Sequence, residues 1–140
     1  MIQRKQSLWL LISALCSLTA LKISFYTGNI NTEKQSVTQF HELNGLENIW
    51  LNIVTIAIAV LCLTTIFLFK NRKLQQRICM IILLMELIVM FVYYKLTKQF
   101  IAGSYAIGAI LQPLIIVATI MALIGIRKDE RIISESDRLR

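Results

Sequence analysis

Histidine and proline each occur once in this chain of 140 residues, and cysteine occurs three times. The cysteines, Cys16, Cys62 and Cys79, form no C-x-x-C pair and sit in or at the edge of apolar runs. That excludes a disulfide framework and the dithiol exchange of membrane thiol oxidases, and leaves all three as small buried hydrophobes. The lone His41 stands near Glu42 and Glu47 without the second His or Cys that would make a convincing metal site. A phosphate-cradling glycine loop and a nucleophile-base constellation are also missing. Catalytic residues, cofactors and metals are therefore not expected, and the chain reads as a non-enzyme. Charged residues are scarce too, at 16% against roughly 25% in an ordinary domain.

What fills the space is hydrophobic sequence, 56% of the chain. Four apolar stretches, about 7–26, 49–69, 78–94 and 105–126, approach or reach the roughly 20 residues that span a hydrocarbon core at 1.5 Å per residue. The third is the shortest. The expected fold is all-α, an integral membrane four-transmembrane-helix bundle forming one domain over 1–140, with an outer loop at 27–48, an inner loop at 70–77 and a tail at 127–140. The first stretch has a basic start like a signal peptide, but its small-residue cleavage pattern is missing, so it is read as a retained helix.

Basic residues fix the expected orientation, because they resist translocation. Eleven of the fifteen fall at one side, namely Arg4, Lys5, Lys70, Arg72, Lys73, Arg77 and the five of the tail, against Lys22, Lys34, Lys95 and Lys98 at the other. Both termini of this multi-pass membrane protein are thus expected in the cytoplasm. Tyr26, Trp50, Tyr93, Tyr94 and Tyr105 would then gather at the outer interface, where amphipathic rings are comfortable. The net charge of +7 is read as a topology signal and not as a nucleic-acid footprint.

Within the spans, Glu86 lies eight residues beyond Ile78, about 12 Å into the membrane by helix rise. Intramembrane carboxyls face a bundle interior, a cavity or a partner. Two readings arise. Glu86 either stays protonated and hydrogen-bonds hydroxyls such as Ser13, Ser17 or Thr119, or it loads and releases a proton as in small exporters. Gln112 precedes the single proline, Pro113, where a kink is expected. Ser13 with Ser17 and Ala118 with Ala122 have the spacing that permits close helix approach.

Read as a continuation of the fourth helix, the tail sets Ile132, Ile133, Ser136 and Leu139 on one side, with Arg131, Glu135 and Arg138 at ion-pair spacing. Such a segment would either lie along the inner membrane surface or enter a groove on a partner, and its five basic against four acidic residues favour the protein partner.

The opening Met1-Ile2-Gln3-Arg4-Lys5-Gln6-Ser7, the inner-loop Lys70-Asn71-Arg72-Lys73-Leu74-Gln75, and the closing Ile126-Arg127-Lys128-Asp129-Glu130 with Ser136-Asp137-Arg138-Leu139-Arg140 resemble an uncharacterised four-helix membrane family of Bacteroidota, domain of unknown function 4293. The resemblance implies four helices in a Gram-negative inner membrane and supplies no catalytic residue. Glu86 is no part of the family pattern.

Since the recognisable motifs gather on the cytoplasmic side, the expected function is an accessory or structural subunit of a larger membrane complex, such as translocation or biogenesis machinery. Its expected partners are other integral membrane proteins and the lipid bilayer, with a homo-oligomer open and nucleic acid excluded. Partner-binding residues would be Lys70, Asn71, Arg72, Arg127, Lys128, Asp129, Glu130, Asp137, Arg138 and Arg140. The alternative is a small proton-coupled transporter that works as a dimer with Glu86 as carrier.

Overall fold

The first apolar run stays helical only as far as Ala20, where sequence reading expected Tyr26. Helix α1 (Gln3–Ala20) is closed by a turn in which Lys22 N and Ile23 N both bond Thr19 O at 3.1 Å. The next residues are claimed by a sheet: Phe25 N bonds Leu43 O at 2.7 Å, and Ala106 N bonds Phe25 O at 3.0 Å. The computed structural model describes residues 3–30, 39–46, 48–68 and 71–138, with side chains over 6–29, 40–46, 48–68 and 71–132.

From this point the chain forms strands β1 (Tyr26–Ile30) and β2 (Gln39–Leu43). Helices α2 (Ile49–Phe67) and α3 (Arg72–Thr97) follow, and then strand β3 (Phe100–Tyr105) and helix α4 (Gly108–Arg138). The protein is mostly helical, but not all-α as expected. A three-stranded antiparallel sheet of order β2-β1-β3 lies in the segments read as plain loops. Backbone pairing decides this outcome. Gly28 faces Gly103 across β1 and β3, and a Cβ on Gly28 would lie 2.4 Å from Ala102 O and 2.7 Å from Gly103 Cα. Only glycine permits that approach.

Asparagines start two helices in the usual way, with side-chain oxygens accepting first-turn amides. Asn48 accepts from Trp50 N at 3.1 Å, and Asn71 accepts from Leu74 N at 3.3 Å. The Asn71 cap draws most of the expected inner loop into α3, so the span read as shortest belongs to a helix of 26 residues. α4 runs through Pro113 and onward to Arg138, so the tail does continue the fourth helix.

The helices pack as a closed ring, α1 on α2 and α4, and α3 on α2 and α4. The strands lie at one end, and the start of α1, the end of α2, the start of α3 and the C-terminal part of α4 lie at the other. Ser13, Ser17, Ala118 and Ala122 are fully buried, so their spacing serves packing within this chain. Outward-facing positions at mid-helix are apolar, with Leu15, Val60, Ile88 and Val117 each more than half exposed. Where α3 meets the sheet, Phe25 stacks on Tyr93 with centroids 4.4 Å apart and Tyr105 meets Phe25 edge-on.

Candidate functional site

Two groups of polar side chains stand out against this apolar background. The first ties helices together at the end away from the sheet. Gln6 Nε2 of α1 donates to Asp129 Oδ2 of α4, and Arg72 Nη1 of α3 stands 3.6 Å from the same oxygen. Asp129 is 5% exposed, so one carboxylate joins three helices. Gly125, one turn before Asp129, makes room for Gln6, whose Cγ would lie 2.8 Å from a Cβ there. Gln75 Nε2 of α3 donates to Thr65 O of α2 at 3.2 Å, and Gln76 donates to Glu130 of α4.

Beside this clasp, Gln76, Arg127, Glu130 and Arg131 line a groove of 430 Å³ between α3 and α4. Arg127 Nη2 reaches Met80 Sδ at 3.7 Å. Lys73, Arg77, Arg127, Lys128 and Arg131 are exposed here. Of the residues expected to bind a partner, Asn71 caps α3, Arg72 and Asp129 pair with each other, and Glu130 holds Gln76. Arg127 and Lys128 face outward. Lys70 and Arg140 lie outside the described residues, as do the side chains of Asp137 and Arg138.

The second group runs through the interior. Ser13 Oγ of α1 contacts Cys62 Sγ of α2 at 3.5 Å and Thr119 Oγ1 of α4 at 3.1 Å, so these three residues share one depth. Glu86 of α3 is close enough to interact electrostatically with Cys62 and with Tyr93. It is 1% exposed. The hydroxyls expected to satisfy it are engaged elsewhere. Ser13 and Thr119 pair with each other, Ser17 donates to Ser13 O at 2.9 Å and Thr119 contacts Ile115 O at 2.9 Å. Glu86 Oε2 has no hydrogen-bond partner.

Seven residues, about two helical turns or 10 Å, lead from this layer toward the sheet on every helix: Cys62 to Thr55, Glu86 to Tyr93, Thr119 to Gln112 and Ser13 to Ala20. All are buried. Thr55 Oγ1 and Gln112 Oε1 again lack partners, as does Asn52 Oδ1 one turn further along α2. Sequence reading singled out Glu86 and Gln112 but missed Thr55, Asn52 and the Gln6–Asp129 clasp. The repeated spacing of seven was the available signal for Thr55. His41 is exposed on β2, 6.4 Å edge-on from Phe100.

Ile49–Phe67, Arg72–Thr97 and Gly108–Ile132 are long and apolar enough to cross a membrane, while the apolar part of α1, Gln6–Ala20, is shorter. These apolar helices, with polar groups confined to their interior and ends, define a helical protein of membrane type. The chain belongs to the family described as a domain of unknown function (DUF4293), whose pattern matches residues 2–139. No curated protein and no solved structure matches it.

Proposed function

We propose that this chain is a non-enzymatic four-transmembrane-helix bundle of a bacterial inner membrane, serving as an accessory or structural subunit of a larger membrane assembly. In this reading the sheet lies outside, and the clasp, both termini and the α2–α3 connection lie in the cytoplasm. The apolar outward positions on all four helices support insertion, and the asymmetry of basic residues supports the orientation. α1 is shorter than a full span, and the exposed Lys22 beyond it can run its stem along lipid toward the headgroups.

One observation carries the subunit reading. Five cations are exposed at the cytoplasmic end, while the two acidic side chains described there, Asp129 and Glu130, are engaged by Gln6, Arg72 and Gln76. The surface left over is cationic and suits an acidic partner segment. The α4 extension, Arg127–Arg138 in backbone, would present it beyond the membrane surface.

Two measurements test this. Single-cysteine reporters at His41→Cys and Asn71→Cys should react with a membrane-impermeant maleimide from opposite sides. Mild-detergent isolation should recover a stoichiometric set of membrane proteins that is lost on Lys128→Glu with Arg131→Glu. Recovery of this chain alone would refute the subunit reading.

A further inference from the structure

The interior has more hydrogen-bonding capacity than it uses. Apart from Asp129 Oδ1 in the clasp, the buried unpartnered atoms of the described side chains are Asn52 Oδ1, Thr55 Oγ1, Glu86 Oε2 and Gln112 Oε1, and a buried polar atom left dry is destabilising. They belong to α2, α3 and α4 and form a series: Glu86 in the middle layer, Thr55 and Gln112 two turns nearer the sheet, and Asn52 one turn beyond. The two amide oxygens can only accept, and although the Thr55 hydroxyl and a protonated carboxyl can donate, none of the four atoms is within hydrogen-bond reach of another. Water, which donates twice, is the ligand that fits such a set. Among its described side chains α1 contributes no buried unpartnered atom, and its Ser13 and Ser17 are bonded.

We propose that Thr55, Gln112 and Asn52 hold water in a path along which the Glu86 carboxyl exchanges its proton with the sheet-bearing end of the molecule. The step conserves charge. The Glu86 O–H bond breaks as its proton passes to the adjacent water, which passes one of its own outward, and the return re-forms the O–H bond on Oε2. The groups that interact with Glu86 are Cys62 of α2 and Tyr93 of its own helix, and Cys62 in turn meets Ser13 of α1, which pairs with Thr119 of α4. Charged residues are remote. By helix rise, Arg77 and Lys95 are each about 14 Å away along α3, Arg127 is about 12 Å and Asp129 about 15 Å beyond Thr119 along α4, and Lys22 follows the end of α1. No cation stands beside it to compensate a carboxylate charge at that depth. This path is independent of cytoplasmic docking, because it lies at the other face of the molecule.

The test is infrared spectroscopy of the full chain in mild detergent, following the protonated-carboxyl band, assigned by its loss in Glu86→Gln, after transfer to D2O. The band should shift well before the hydrogen-bonded helix amides exchange. Thr55→Val with Gln112→Leu should slow the shift roughly tenfold, equivalent to about 1.4 kcal/mol of barrier. Gln75→Leu, near the opposite end, should leave it unchanged. Thr55→Val alone is nearly isosteric and should slow it roughly threefold, which keeps the test open if the double variant does not fold. A band that exchanges no faster than the helix amides overturns the proposal. So does one slowed by Gln75→Leu and not by the Thr55 variants, and so does the absence of any Glu86 band.

Discussion

Asp129→Ala is the substitution whose consequence is most directly worked from the structure. It removes the acceptor for Gln6 Nε2, a side chain only 7% exposed, and strands that amide at a helix interface. Leaving a buried donor unsatisfied costs about 1–3 kcal/mol. The Arg72 partner is 20% exposed at 3.6 Å, so water screens much of that attraction and its loss adds up to about 1 kcal/mol. The expected destabilisation is therefore about 1–4 kcal/mol. Thermal or denaturant unfolding in mild detergent measures it, with Gln6→Ala and the double variant completing a cycle. A coupling of about 1–2 kcal/mol between Gln6 and Asp129 is expected, since contacting pairs in one network couple by about 0.5–3 kcal/mol. Asp129→Asn, which keeps an acceptor oxygen but loses the charge, should cost no more than about half as much as Asp129→Ala. Additive single variants, with coupling below about 0.3 kcal/mol, would falsify the clasp.

Gly28→Ala drives a Cβ into Ala102 O and Gly103 Cα, both backbone atoms. Overpacking at such a site should cost about 1–3 kcal/mol and deprotect the β1 and β3 amides in hydrogen exchange, while helix amides stay protected. Tyr93→Ala removes the ring stacked on Phe25 at 4.4 Å and should cost about 3–5 kcal/mol in unfolding measurements, the usual cost of deleting a buried aromatic ring.

Helix length and apolar content made the second, third and fourth spans legible, since each rests on local sequence. The fourth helix was read as ending near residue 126, with helix for the tail only as a conditional reading that set Arg131, Glu135 and Arg138 at ion-pair spacing; α4 in fact runs on to Arg138. The sheet was not legible. Tyr26–Ile30 and Phe100–Tyr105 pair only because the intervening helices return the chain to the same end, and no local period records that. Apolar residues through Tyr26 masked the end of α1 at Ala20 for the same reason, as hydropathy reports burial and not the hydrogen bonds that Leu43 and Ala106 make to Phe25. At Glu86 the depth followed from helix rise, but its partners did not. Ser13, Ser17 and Thr119 spend their hydroxyls on one another and on their own helices' carbonyls, a choice fixed by rotation about each helix axis. Asp129 was read as a surface group from its charged neighbours, yet it faces inward because α4 brings it over Gln6.

The central strand of the sheet also sets an order of events during synthesis. β1 leaves the ribosome with its β2 partner close behind, but its other edge pairs Tyr26 with Tyr105, 79 positions later in the chain. At about 5–20 residues per second, that edge stays open for roughly 4–16 s while α2 and α3 are made. An open strand edge is a template for unwanted pairing. The glycine at position 28, with no side chain to grip a stray strand, sits in the middle of that edge, and its mate Gly103 arrives only when the third helix is complete.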